Sequence, residues 1–190
     1  MIETNTMYNE ADSEFTPAPK GTYPCHLASF ESREYNGNKV FNIQFKVAQE
    51  ADKLMFMKMV SDGDGWYEQE KNENGEGLEI SGKSFVGRKF FSVGVWFTPK
   101  PMKEEGWKNK TYKKWFESLG VIFKKDGDNI VLGEVEESDV VGKPCLANVD
   151  VNEYENKDGE LRRSMQVVSI EPWKDGTELD KSEMEDDLPF

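Results

Sequence analysis

The chain has 190 residues, with 37 Asp and Glu against 24 Lys and Arg and a formal net charge of -13. That length suits one domain with appendages and is enough to bury a real core, while the overall charge argues against nucleic acid as a partner of the whole surface. The two cysteines, Cys25 and Cys145, lie far apart, and with a single histidine, His26, they exclude an ordinary zinc site; they read as reduced core thiols of a cytosolic protein. No apolar run approaches the ~20 residues needed to span a bilayer, and the polar, acidic start lacks the pattern of a signal peptide, so a soluble, cytoplasmic protein without a membrane partner is expected.

The average charge hides an uneven distribution. Residues 171–190 hold eight acids and two lysines, whereas residues 83–125 hold eleven basic residues and three acids. A basic block joined to an acidic tail differs physically from a uniformly acidic surface.

Residues 1–19 form a loose N-terminal arm, tied down at most by Tyr8 or Phe15, with Pro17-Ala18-Pro19-Lys20-Gly21 at its boundary. Thr22 to Glu31 is the first strand. Asn36-Gly37 is a turn signal, in a loop expected to exceed two residues. Lys39 to Val47 is the clearest strand, since Phe41, Ile43, Phe45 and Val47 alternate with Asn42, Gln44 and Lys46. Residues 50–82 carry nine acids and three lysines, broken by Asp62-Gly63-Asp64-Gly65 and Asn74-Gly75-Glu76-Gly77. They predict an inserted β-hairpin flap, with Met55, Met57 and Met59 on one arm and Trp66-Tyr67 on the return. The flap has three open roles: a clamp, a cover or a contact that builds a homodimer.

Ser84 to Thr98 is expected to be the longest strand, bent at Gly87 and Gly94. Its parity puts Phe85, Lys89, Phe91, Val93, Val95 and Phe97 toward the core and Arg88, Phe90, Ser92, Gly94 and Trp96 on the other face. A basic loop over Pro99 to Gly106 leads to a helix at about Lys110 to Leu119. There Tyr112, Trp115, Phe116 and Leu119 form one apolar stripe, with Asn109 or Thr111 as cap and Gly120 as stop. Short strands at Val121 to Phe123 and Ile130 to Leu132 flank a turn. A final hairpin opens at Val140-Val141-Gly142-Lys143, carries Cys145, Ala147, Val149 and Val151 on one side, turns at Asn156 to Gly159 and returns over Leu161 to Ile170. The ordered body, residues 20–172, ends at Glu171-Pro172-Trp173; residues 173–190 are expected to be a disordered acidic tail. This order, mainly β with one helix between the third and fourth main strands, matches an OB-fold, a five-stranded Greek-key barrel.

Single strands of nucleic acid are held by a positive groove along the phosphates and by aromatic faces under the bases. Residues 83–125 carry both kinds of group. The candidate contacts are Arg88, Phe90, Trp96, Lys100, Lys103, Trp107, Lys108, Lys110, Lys113 and Lys114, with Lys46 on the neighbouring strand and Asn42 and Gln44 beside it. No Walker motif, nucleophile elbow or HExxH is present, so no enzymatic activity, cofactor or metal is expected.

The last residues, Glu183 to Asp187 followed by Leu188, Pro189 and Phe190, combine an acidic run with an apolar end. This ending resembles the C-terminal tip of bacterial-type single-stranded-DNA-binding proteins. The stretches Pro17-Ala18-Pro19-Lys20-Gly21-Thr22-Tyr23, Gly87-Arg88-Lys89-Phe90 and Val141-Gly142-Lys143-Pro144-Cys145 look more like phage-encoded proteins of the single-stranded-DNA-binding kind. The resemblance implies a replication, recombination or repair role inside a bacterial host. It implies binding and protection of single-stranded DNA without sequence specificity, and recruitment of replication or recombination proteins through Asp186, Asp187, Leu188, Pro189 and Phe190. Physically, Phe190 would enter an apolar pocket while the acids meet Lys or Arg at its rim. The acidic tail would also occupy the basic groove when DNA is absent. Two other classes fit the composition: an acidic DNA-mimicking inhibitor and a protein-interaction adaptor.

Overall fold

The computed structural model describes residues 16–61, 67–99, 106–155 and 157–185. The chain is mainly β. Strand β1 (Gly21–Tyr35) turns into β2 (Asn38–Val47) through Asn36 and Gly37. Their φ angles of 49° and 75° make this a tight two-residue turn, shorter than expected from the sequence, because Asn and Gly both tolerate the left-handed region. A 3-10 turn (Gln49–Lys53) comes next.

The flap is built from two small ladders rather than one hairpin. Strand β3 (Met55–Met57) pairs β6 (Glu79–Ser81), and β4 (Met59–Ser61) pairs β5 (Tyr67–Gln69). Its base is anchored because Phe56 is buried and stacks on Tyr23, ring centroids 4.4 Å apart.

The long strand expected over Ser84 to Thr98 is broken into three pieces. They are a 3-10 turn (Gly82–Phe85), β7 (Lys89–Phe91) and β8 (Val95–Phe97). The break sits at Ser92. Its Oγ accepts the Ile43 N–H at 3.0 Å and its own N–H donates to the Ile43 carbonyl, so a buried side chain replaces a ladder carbonyl and the strand bends. Gly94 fits under Val40, whose Cγ2 would lie 2.9 Å from any added Cβ.

Helix α1 (Gly106–Ser118) leads to the ribbon β9 (Lys124–Asp126) and β10 (Asn129–Val131), then short helix α2 (Glu137–Val140), and the final hairpin β11 (Pro144–Glu155) and β12 (Leu161–Pro172). A last short helix, α3 (Lys181–Glu185), closes the described chain.

One six-stranded antiparallel sheet runs in the order β12-β11-β1-β2-β7, with β8 also on β2. Strand pairing does not close it into a barrel. Its two ends touch at a single parallel bridge between Ser92 and Val167, where the Val93 N–H donates to the Val167 carbonyl at 3.0 Å. The concave face holds Leu27, Phe41, Ile43, Phe45, Ala147, Val149 and Ile170, and α1 packs on it through Tyr112, Trp115 and Phe116, all buried as the helical stripe predicts.

Trp173 to Glu185 is not a detached tail. It packs back on the body: His26 Nε2 lies 2.8 Å from the Thr177 carbonyl, the Leu179 N–H donates to the Gly142 carbonyl, Lys143 pairs with Glu178 at 2.6 Å, and Met184 is buried. The acids in this stretch draw attention, but Trp173, Leu179 and Met184 supply the apolar surface that offsets the entropy of ordering it. An acidic tail free to lie in a groove therefore does not include residues 173–185. The tip Asp186, Asp187, Leu188, Pro189 and Phe190, with residues 1–15, lies outside the described residues.

Candidate nucleic-acid interface

Strand alternation sends one side chain in two to the convex face of the sheet. On β1 a bulge between Leu27 and Ser29 resets the register, so Ser29 lies opposite Gln44, Glu31 opposite Asn42, and Arg33 opposite Val40. On the other side of β2, Gln44 faces Phe91 and Val40 faces Trp96. The convex face therefore carries Tyr35 and Trp96 at the turn end and Phe91 in the middle.

Two of the predicted contacts change place. Phe90 is buried at 5 % exposure and packs against Tyr23 at 5.2 Å, whereas Phe91 is 58 % exposed. The expected parity inverts because the strand breaks at Ser92, so Phe90 shares the register of Phe45 and points inward. Arg88 is half-buried with its guanidinium 5.2 Å from the Phe85 ring centroid, and burial pulls its pKa down from the ordinary arginine value. It belongs to the aromatic cluster of Tyr23 and Phe85 rather than to the convex face.

Trp96 keeps its expected position. It is half-buried, meets Tyr35 edge-on at 6.3 Å, and carries Lys108 Nζ 5.5 Å above its ring. Asn109 fixes this arrangement. Its Oδ1 accepts the Thr98 N–H and its Nδ2 donates to the Thr98 carbonyl, both at 2.9 Å, so α1 is sutured to the end of β8. The residue predicted as a helix cap is thus a helix-to-strand clamp, with the helix beginning earlier, at Gly106.

The remaining candidates spread out. Trp107 is 59 % exposed at the start of α1, and Lys110 and Lys114 are exposed on that helix. Lys113 pairs with Glu117 at 2.7 Å. Lys46 lies opposite Lys89 and His26 at the far end of β2, where the docked segment from Trp173 to Glu185, a strap across the body, puts Thr177 and Leu179 in one wall of a small cleft. Lys100 and Lys103 fall outside the described residues. Lys39 is bound to Glu134.

Between these ends lies a cleft of about 520 Å³, lined by Ser29, Glu31, Arg33, Asn42, Gln44, Phe91, Ser92 and Gln166. Glu31 and Arg33 pair loosely at 3.5 Å and both are largely exposed. Arg33, Tyr35, Phe91 and Gln166 are absent from the sequence-derived set. The signal for Tyr35 and Arg33 was their position beside the Asn36-Gly37 turn; nothing local marks Gln166, which arrives from a strand more than a hundred residues away.

Among the described residues no group of three or more His, Cys, Asp and Glu could hold a metal ion, and no helix is long and apolar enough to cross a membrane. Comparison with family models, curated proteins and solved structures finds no match for the chain.

Proposed function

We propose that this chain is an OB-fold protein, of the kind encoded by phages, that binds and protects single-stranded DNA in the cytoplasm of a bacterial host. The strand order supports the OB reading: the first strand pairs the second and the fourth, and the third touches the fifth through a parallel bridge, with a helix between third and fourth. The main strands are β1, β2, β7–β8, β11 and β12. The face of the second and third strands is where such folds hold oligonucleotides.

The observation that carries the proposal is the convex face itself. Tyr35, Phe91 and Trp96 offer ring surface there, and Arg33, Lys46, Lys89 and Lys108 stand beside it. Rings stack on any base, which makes most of the path tolerant of sequence, and each stacked base contributes ~1–3 kcal/mol. The cations meet phosphates. The role is non-catalytic, and recruitment of replication, recombination or repair proteins falls to Asp186 through Phe190.

The test is a titration of a labelled oligo(dT) by fluorescence anisotropy at several salt concentrations. Affinity that falls steadily with salt is expected, since a few phosphate contacts release bound counterions. No binding at low salt would remove the proposal and leave the DNA mimic or adaptor.

A further inference from the structure

We propose that the cleft between β1, β2 and β7 is a guanine-selective subsite on the bound strand, an assignment that rests on the single-strand reading above. The cleft differs from the rest of the face in chemistry. Elsewhere the face offers rings and cations, which accept every base. Here it offers one exposed ring, Phe91, and a ring of hydrogen-bonding groups around it.

Those groups are not equally committed. Ser92 Oγ is used by the Ile43 N–H, and Gln166 Oε1 takes the Asn152 Nδ2 at 2.8 Å, so Gln166 presents donors to the cleft. The Asn42 and Gln44 side chains make no hydrogen bond to the described protein. An amide can rotate to match any base edge, so these two add affinity without choice. Choice comes from groups that cannot rotate their role. An ionised carboxylate only accepts and a guanidinium only donates. Glu31 and Arg33 stand two residues apart on the same face, about 7 Å along the strand.

Guanine is the base whose edges match that pair. N1–H and the 2-amino group give two adjacent donors for Glu31, while O6 and N7 give adjacent acceptors for Arg33. Thymine offers one donor between two carbonyls and would set O4 or O2 against the carboxylate. Adenine and cytosine each offer an amino group beside an unprotonated ring nitrogen, which repels the second carboxylate oxygen. A guanine stacked on Phe91, with its edge toward β1, satisfies both charged groups and replaces their loose 3.5 Å contact.

The experiment uses the full chain and oligo(dT) strands carrying one central substitution: dG, deoxyinosine, dA or dC. A single dG should tighten binding about tenfold over uninterrupted oligo(dT). Deoxyinosine, which lacks the 2-amino group, should lose most of that gain. In Glu31→Gln the dG-to-dT affinity ratio should fall to near one, with thermal unfolding unchanged because Glu31 is exposed. Free GMP, which lacks the rest of the strand, should compete only weakly.

Equal affinity for all four substituted strands would overturn the subsite while leaving single-strand binding intact. So would deoxyinosine binding as tightly as dG, or an unchanged ratio in Glu31→Gln. GMP binding as tightly as the dG strand would overturn its place on a strand path. No binding to any strand would bring down both the subsite and the function it rests on.

Discussion

Phe90 and Phe91 are neighbours in the chain and face opposite worlds. Phe90 fills the core beside Tyr23, so Phe90→Ala should cost ~3–5 kcal/mol of stability by opening a cavity, visible as a lowered denaturation midpoint. Phe91 is exposed and holds nothing together, so Phe91→Ala should leave the midpoint in place and weaken oligo(dT) binding several-fold, consistent with ~1–3 kcal/mol per stacked base. The opposite pattern, with Phe91→Ala unfolding the protein and Phe90→Ala sparing it, would mean that the register of β7 on β2 is off by one residue.

At the scale of elements, the strap from Trp173 to Glu185 depends on Gly142. Its φ of +82° suits glycine, and an added Cβ would stand 1.9 Å from the Leu179 carbonyl oxygen. Gly142→Ala should therefore lift the strap and expose it to protease, read as faster cleavage between Trp173 and Glu185. Equal protease resistance in Gly142→Ala and wild type would contradict the docked strap. This element also shows where sequence patterns stop informing. Alternation in Lys39 to Val47 and helical spacing from Tyr112 to Phe116 report a face that is buried along one element, so both were legible. The seat of the strap was not, because it pairs Gly142 and Lys143 with Leu179 and Glu178 across tens of residues, and acids there mask three anchoring apolar side chains. The break at Ser92 was hidden for a similar reason: its partner is the backbone of Ile43 on another strand. Trp96 and Lys108 were legible as a ring and a cation, but the clamp of Asn109 on Thr98 that brings them together was not.

Over the whole molecule, burial raises the pKa of Cys25, Cys145, Tyr23 and Tyr112, the last to about 12. Unfolded, these groups titrate at their ordinary values of 9.0 for the thiols and 10.0 for the phenols. Above those values the unfolded chain has released protons that the folded chain keeps. The stability these four groups contribute is therefore full below about pH 9 and declines as the pH climbs toward 12. Denaturant midpoints measured from pH 7 to pH 11 should be level at first and then fall; a midpoint that rises over that range would contradict the buried phenols and thiols.

The net charge of -13 disfavours a uniform attraction to DNA, so the binding proposed above is local, and Trp96 is the tryptophan that lies on its face. The most direct measurement is tryptophan fluorescence during addition of oligo(dT) to wild type and to Trp96→Phe. Stacking of bases on Trp96 predicts salt-sensitive quenching in the wild type that is largely lost in the variant, although four other tryptophans remain. Equal quenching in both proteins, or none in either, would contradict the assignment of the convex face.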